Sequence, residues 1–438
     1  MSRALSAAAS PNGPVLIAAC RTPIGTAGHA LDDVTVVDLA APVLAEARRR
    51  AAATGLSVDD VILGNCLGPG GNIARSAALA AGLGTGIPGV TVDRQCGSGL
   101  EAVRLAALTV RAAVAERPGM TPQQAPLILA GGAESASTAP WRFWPPARSD
   151  DERGGTTEPV RYQRAPFAPR GFADPEMGPA ADALAASRGI GRARQDEYAA
   201  RSHAGALAAA AAGAFAGEMV AVGGVTADER PRSITVERLG RLPAAFVGDA
   251  PATRSIGTHT VTAGNASGIS DGAAAVAVTT EAAAAEAGLP ACRVVSSAVV
   301  AGDPALPGAG AGPAALKALQ RAGLGIVEVG VIEVVEAFAA VALAFADDLG
   351  VDPELVCREG GAIALGHPWG ASGAVALVRA ISQLQRDPAA RYALVACAIG
   401  GGQGIAMIIE RCEWATNAPT AQEWSTDVQE SDAAEFAA

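Results

Sequence analysis

The feature that most restricts the fold is a unit that occurs twice. Cys96-Gly97-Ser98-Gly99 opens a helical pattern, which leads to the apolar run Leu127 to Ala130 and ends at Gly131-Gly132. Gly370-Ala371-Ser372-Gly373 opens a second helical pattern, followed by apolar Tyr392 to Ala396 and then Gly400-Gly401-Gly402. Small residues start each helix and glycines follow each strand. Two like halves of this kind bring two helix starts together at one cleft.

The rest of the chain fits a layered α/β fold. Val15 to Cys20 reads as a strand, Val36 to Ala53 as a helix with arginines in its last turn, and Val58 to Cys66 as a second strand. Asn72 to Ala81 reads as a helix, Val90 to Asp93 as a strand, and Gly97 to Ala115 as a long helix. From Ser135 to Gly257 the alternation is interrupted by Trp141, Trp144, prolines and a charged stretch, then turns helical from Asp182 to Ala216. It resumes beyond Thr258 and runs to about Glu410. The expected division is residues 14–134 and 258–290 as one half, 135–257 as an inserted loop domain, and 291–412 as the second half. Residues 413–438, acidic with no lysine or arginine, are expected to be a disordered tail, as is Met1 to Gly13.

At 438 residues the chain exceeds one ordinary core. A net charge of -11 argues against nucleic acid or an anionic membrane as partner, although helix N-termini can still hold a phosphate locally. The seven cysteines are scattered with no CxxC pair, so neither a disulfide framework nor a zinc site is expected, and a reducing compartment is. No basic segment followed by a long apolar run opens the sequence, and the Ala-rich runs are too short to span a bilayer. The expectation is a soluble, cytoplasmic protein without a metal.

Chemistry concentrates around Cys96. It stands where a β-branched segment gives way to a helix, and helix N-terminal amides favour thiolate over thiol. Gly97 and Gly99 allow close approach to the sulfur. Of four histidines, His203 reads as a surface residue of an Arg/Ala-rich helix, while His29 and His259 read as loop residues. His367, in Gly366-His367-Pro368 just before a helix start, has the most open backbone environment. An imidazole near a thiol can activate it or donate to a developing oxyanion. The amides of Ala398-Ile399-Gly400-Gly401-Gly402 are candidates for an oxyanion hole.

These segments, with Gly131-Gly132-Ala133-Glu134-Ser135, Thr262-Ala263-Gly264-Asn265-Ala266-Ser267-Gly268 and Glu336-Ala337-Phe338, resemble the thiolase family, the acetyl-CoA acetyltransferases and 3-ketoacyl-CoA thiolases, from about Val15 to Glu410. The resemblance implies a duplicated, five-layered αβαβα fold with an inserted loop domain. It implies dimers, often paired into tetramers, and a coenzyme A thioester as substrate with no permanently bound cofactor. It makes Cys96 the nucleophile and His367 its partner, with the amides of Cys96 and Gly400 holding the oxyanion. Ser267 matches a pantetheine contact; Met177 and Phe338 match positions lining the acyl pocket.

The departures from the family pattern are specific. Val335 stands where the family has an asparagine that holds a water, and valine offers no side-chain hydrogen bond. Ala398 stands where the family has a second cysteine, the general base of the condensing or cleaving step. Cys397 lies one residue earlier and, in an extended segment, on the opposite face. Glu359 replaces an asparagine, and Glu176 precedes Met177. A general base commonly contributes ~10²–10⁴ in rate, so these losses fall on the second half-reaction. The expectation is an acyltransferase moving an acyl group from a coenzyme A thioester through acyl-Cys96 to an unidentified acceptor. The alternatives are an ordinary thiolase and a non-catalytic subunit with an accessory protein partner.

Overall fold

The computed structural model describes residues 12–146, 158–247 and 259–414. Most of the two expected tails, and parts of the expected loop domain, lie outside the described residues.

In chain order the first half comprises β1 (Pro14–Arg21), β2 (Gly25–Thr26), α1 (Val36–Arg50), β3 (Asp60–Gly64), α2 (Ile73–Ala80), β4 (Gly89–Val92), α3 (Ser98–Glu116) and β5 (Ile128–Ser135). The excursion holds the hairpin β6 (Arg142–Trp144) and β7 (Val160–Tyr162), then α4 (Met177–Arg188), α5 (Arg192–Ala211) and α6 (Val236–Gly240). After it come β8 (Ser270–Thr280), α7 (Glu281–Glu286), β9 (Cys292–Ala301), α8 (Ala311–Ala322), β10 (Val329–Val334), α9 (Ala339–Leu349), α10 (Ala362–Leu365), α11 (Trp369–Arg386), β11 (Tyr392–Ile399) and β12 (Gln403–Arg411).

Local chemistry explains the boundaries. Thr35 caps α1 by accepting from the Asp38 amide, and Arg48, Arg49 and Arg50 complement the dipole at its end. Asn72 caps α2 through the Arg75 amide. The helical stretch expected from Asp182 to Ala216 is two helices. Gly189, in left-handed conformation, stops α4, and Gly191 caps α5.

The duplication is explicit in the pairing. β1 with β8, and β9 with β12, are antiparallel; so are β5 with β8, and β11 with β12. β3 with β5, and β10 with β11, are parallel. Even the β3–β4 parallel pair has a remnant, a single parallel bridge from Ile332 to Val356. The two half-sheets join edge to edge where Val15 and Leu16 of β1 pair with Arg293 and Cys292 of β9.

Five layers follow. The helices α3 and α11 are buried between the half-sheets, with Leu100, Val103, Leu377 and Ile381 packed on Val276, Val278, Val395 and Met407. Outside the first half-sheet, α1 seats Leu39, Val43 and Leu44 against Leu63 and Leu129. Outside the second, α8 and α9 seat Leu319, Leu343 and Phe345 against Ile332, Leu394 and Ile408. In β12 the alternation is visible: Ile405, Met407 and Ile409 face the middle layer, Ala406 and Ile408 the outer one. Truncating one such leucine to alanine costs ~2–5 kcal/mol.

β5 and β8 are paired neighbours, yet the whole excursion lies between them in sequence. It packs over the second half, where Tyr198 and Ser202 of α5 both donate to Glu336.

Candidate active site

The two repeated helix starts meet. A Cβ at Gly99 would stand 2.9 Å from the Gly370 carbonyl oxygen, and one at Gly132 only 2.2 Å from it. Only glycine permits that approach, so α11 begins against both α3 and β5. Cys96 lies two residues before α3, and His367 two residues before α11. The Glu134 carboxylate ties the junction. One oxygen accepts from Asn65 Nδ2 (2.9 Å) and the Leu67 amide (3.0 Å), the other from the Cys66 amide (2.9 Å) and the Gly370 amide (3.1 Å).

The nucleophile loop is held tightly. Gln95, immediately before Cys96, has φ +47°, a conformation that a non-glycine residue adopts at a cost of ~1–3 kcal/mol. It persists because Asp93 accepts from the Gln95 amide at 2.7 Å and Ser98 Oγ donates to the Gln95 carbonyl at 2.6 Å. Two backbone donors face the Cys96 sulfur, its own amide and that of Gly400. Burial nonetheless pushes the thiol up to about 12, with Glu134 adding to the rise and the two amides opposing it. This corrects the expectation of a thiolate at the helix start: desolvation outweighs the amides, and the resting group is a thiol. Attack therefore requires a proton acceptor.

His367 is buried. Its amide donates to the Gly268 carbonyl at 3.0 Å, and Nδ1 lies 2.6 Å from Ser372 Oγ. Burial pushes its pKa down to about 4, so the ring is neutral at pH 7 and able to accept a proton. The segment holding Gly268 also holds Ser267, whose amide and Oγ both donate to the Ala337 carbonyl (3.0 and 2.9 Å), while Ala266 bridges Phe338. Ser267, Phe338 and His367 are thus fixed to one strand of backbone. Met177 is half-buried at the start of α4, and its neighbour Gly178 lies under the Phe246 ring. Glu176 is exposed and paired with Arg164 at 3.1 Å.

Cys397 and Ala398 do face opposite ways. Ala398, like Phe338, packs against the outer cluster, while Cys397 belongs to the middle layer and its thiol donates to the Cys96 carbonyl at 3.3 Å. Burial holds the Cys397 thiol well above its ordinary range, with Cys96 nearby adding to the rise, and its proton is engaged with backbone carbonyls. Val335 is buried, and its amide donates to the Ala396 carbonyl.

His203 is a correction. It is 1 % exposed, on the buried stripe of α5, with neither ring nitrogen hydrogen-bonded among the described residues. Burial, then Arg232 and Arg230, push its pKa to about 4.

Several residues with structural roles here had no role assigned from sequence. Glu134 and Glu336 stood inside quoted motifs, yet their partners are far away in the chain. Glu336 accepts from Tyr198, Ser202 and the Ile363 amide. Phe167 has no motif at all, yet its ring covers Gly400: a Cβ there would stand 2.7 Å from it. Cys66 lies beside the nucleophile loop, its thiol 3.2 Å from the Gln95 carbonyl.

Among the described residues no cluster of three or more His, Cys, Asp or Glu is placed to hold a metal ion, and no helix is long and apolar enough to cross a membrane.

Residues 14–282 match the thiolase N-terminal domain and residues 289–411 the thiolase C-terminal domain. This chain belongs to the thiolase family. It is 43% identical to an acetyl-CoA acetyltransferase of Escherichia coli (strain K12), over 91% of this chain and 98% of that protein. It is 40% identical to the beta-ketothiolase BktB of Cupriavidus necator, over 91% and 98%. A solved structure, the Bacillus anthracis acetyl-CoA acetyltransferase, superposes with TM-score 0.79 at 35% identity, over 91% of this chain and 99% of that one. The five-layered fold is the thiolase fold, and the protein is an acyltransferase of the thiolase kind.

Proposed function

We propose that this thiolase carries out the ordinary reaction named for its relatives, acyl transfer between coenzyme A thioesters, as an acetyl-CoA acetyltransferase or 3-ketoacyl-CoA thiolase. The convergence of the Cys96 and Gly400 amides on the Cys96 sulfur carries this reading. They stand where the oxygen of a thioester carbonyl becomes an oxyanion when that sulfur attacks. His367 accepts the thiol proton, the new C–S bond forms, and coenzyme A leaves as its thiol on taking that proton back. Ser267, Met177 and Phe338 are assigned to the pantetheine arm and acyl pocket. The substrate is a coenzyme A thioester, with no cofactor held permanently, and the working form is a homo-oligomer in the cytoplasm.

A second reading rests on one observation. Ala398 offers no proton acceptor, and the Cys397 thiol is buried, held well above its ordinary range and hydrogen-bonded to the Cys96 and Ala398 carbonyls, so neither residue supplies a base for the α-carbon of acetyl-CoA. This favours an acceptor more acidic or more nucleophilic than acetyl-CoA. Intact-protein mass spectrometry with acetyl-CoA and longer acyl-CoAs, with Cys96→Ala as control, tests the shared first step. A gain of one acyl mass that the control lacks supports it. Absence of any adduct overturns it and points to a non-catalytic subunit. Cleavage of acetoacetyl-CoA by coenzyme A then separates the two readings.

A further inference from the structure

Beneath His367 the packing between β10 and α11 is incomplete. A cavity lined by Glu333, Val335, Gly361, Ser372, Val375 and Arg379 leaves about 20 Å³ to the centre of a water molecule. One water needs ~10–15 Å³ and two or more polar partners. The partners are present. Ser372 Oγ, which contacts His367 Nδ1, borders the cavity at one end. Arg379 Nε is buried without a hydrogen-bond partner among the described residues, although the guanidinium's other nitrogens hold Glu218 and Glu359. Glu333 accepts from Gln383 on one oxygen. Ser372, Val375, Ala376, Arg379 and Gln383 lie at i, i+3, i+4, i+7 and i+11, one face of α11 turned to β10. The small Val375 and Ala376 leave the gap between the polar ends.

We propose that this cavity is hydrated and conducts a proton between His367 and Glu333, through Ser372 and water held at Arg379 Nε. The inference rests on the thiolase reading above. Nε2 of His367 takes the Cys96 proton. Nδ1–H passes its proton to Ser372, the serine hydroxyl passes its own to water, and water passes one to the Glu333 carboxylate. The net result is one proton moved from sulfur to Glu333, and the path runs backwards when the coenzyme A thiolate leaves. Burial, and then the neighbouring Glu336 and Glu359, push the Glu333 carboxyl up to about 7 against the pull of Arg379, so it takes and returns a proton near neutrality. Cys357 also faces it, from the loop before α10.

The test is the pH profile of Cys96 acylation by acetyl-CoA, followed by intact mass in single turnover on the full chain. In the wild type the rate falls as pH drops below about 7, where Glu333 is already protonated. Glu333→Gln is expected to lose that limb and to be at least ~10-fold slower at pH 8. Val375→Leu, which displaces water but no charge, is expected to be slowed comparably with normal final occupancy. Val375→Ala, which enlarges the cavity and weakens the core, is expected to keep the wild-type rate and profile. Rates that track stability instead, with Val375→Ala the slower, overturn the conduit. So does an unchanged acid limb in Glu333→Gln. Wild-type protein that takes no acyl group at all refutes the underlying thiolase reading instead.

Discussion

Glu134→Gln isolates what the junction of the two halves contributes. The native carboxylate accepts four hydrogen bonds, two per oxygen, from Asn65, Cys66, Leu67 and Gly370. Glutamine keeps one oxygen and turns an amide nitrogen towards the other two donors. Two bonds are lost, and two buried N–H groups face a third donor. Each unsatisfied buried donor costs ~1–3 kcal/mol. The side chain is fully buried, and burial already raises its pKa, so a neutral group recovers part of that desolvation. The net expectation is a loss of ~3 kcal/mol. The functional effect follows from where the donors are. Gly370 opens the helix after His367, and Cys66 lies against the carbonyl before Cys96. A misplacement of ~1 Å between thiol and imidazole costs ~10²-fold. Thermal unfolding and a time course of acylation by acetyl-CoA measure both. A variant that loses less than ~1 kcal/mol and acylates at the wild-type rate would show that Glu134 neither ties the halves nor sets the site.

Ala398→Cys places a thiol on the Phe338 side of β11; acetoacetyl-CoA cleavage is expected to rise by up to ~10²–10⁴, the usual worth of a general base, and no gain would mean that proton transfer does not limit the native protein. Phe167→Ala uncovers the Gly400 turn, so acylation by hexanoyl-CoA relative to acetyl-CoA is expected to increase several-fold; an unchanged ratio places the ring outside the acyl site. Folded Glu333 holds its proton to higher pH than the unfolded chain does. Folding therefore loses stability as pH rises from 4.5 to about 7, by ~3 kcal/mol, a dependence expected to be absent from Glu333→Gln and to remain in the difference between wild type and variant measured by denaturant unfolding; a difference that does not change with pH would refute it.

Much of the fold was legible because it is written in local patterns. The β and α alternation, the caps at Thr35 and Asn72, and the repeat of small residues at Gly99 and Gly373 all act within a few residues. The placement of Cys96 and His367 before buried helices, and of Gly400 at a strand-to-strand turn, was legible because reactive side chains and glycines cluster at such turns. What was not legible depends on partners far apart in the chain. The protonation of Cys96 is set by the burial that tertiary packing imposes. His203 shows a missed period: Tyr198, Ala199, Ser202, His203 and Ala206 form a buried i, i+1, i+4, i+5, i+8 stripe, hidden by the arginines on the other face of α5. Glu336 binds residues over 130 positions earlier in the chain, which no spacing rule reveals.

The duplication also explains where this chain can diverge without losing its first chemical step. Cys96 and His367 each lie two residues before a buried helix, and Glu134 joins the Gly370 amide of α11 to the loop after β3, whose Cys66 lies against the carbonyl before Cys96. The groups proposed for sulfur attack sit on that frame or on the Gly400 turn beside it. Val335 and Ala398 lie elsewhere, at the ends of the adjacent parallel strands β10 and β11, where the Val335 amide donates to the Ala396 carbonyl. Val335 and Ala398 therefore differ from the family pattern without touching the nucleophile loop, with its strained Gln95. The same region carries the cavity, Arg379 with its Nε unpartnered among the described residues, and Glu333. The proposed path through Ser372 and Glu333 therefore lies on the α11 face turned to β10, next to the strand ends that carry Val335 and Ala398.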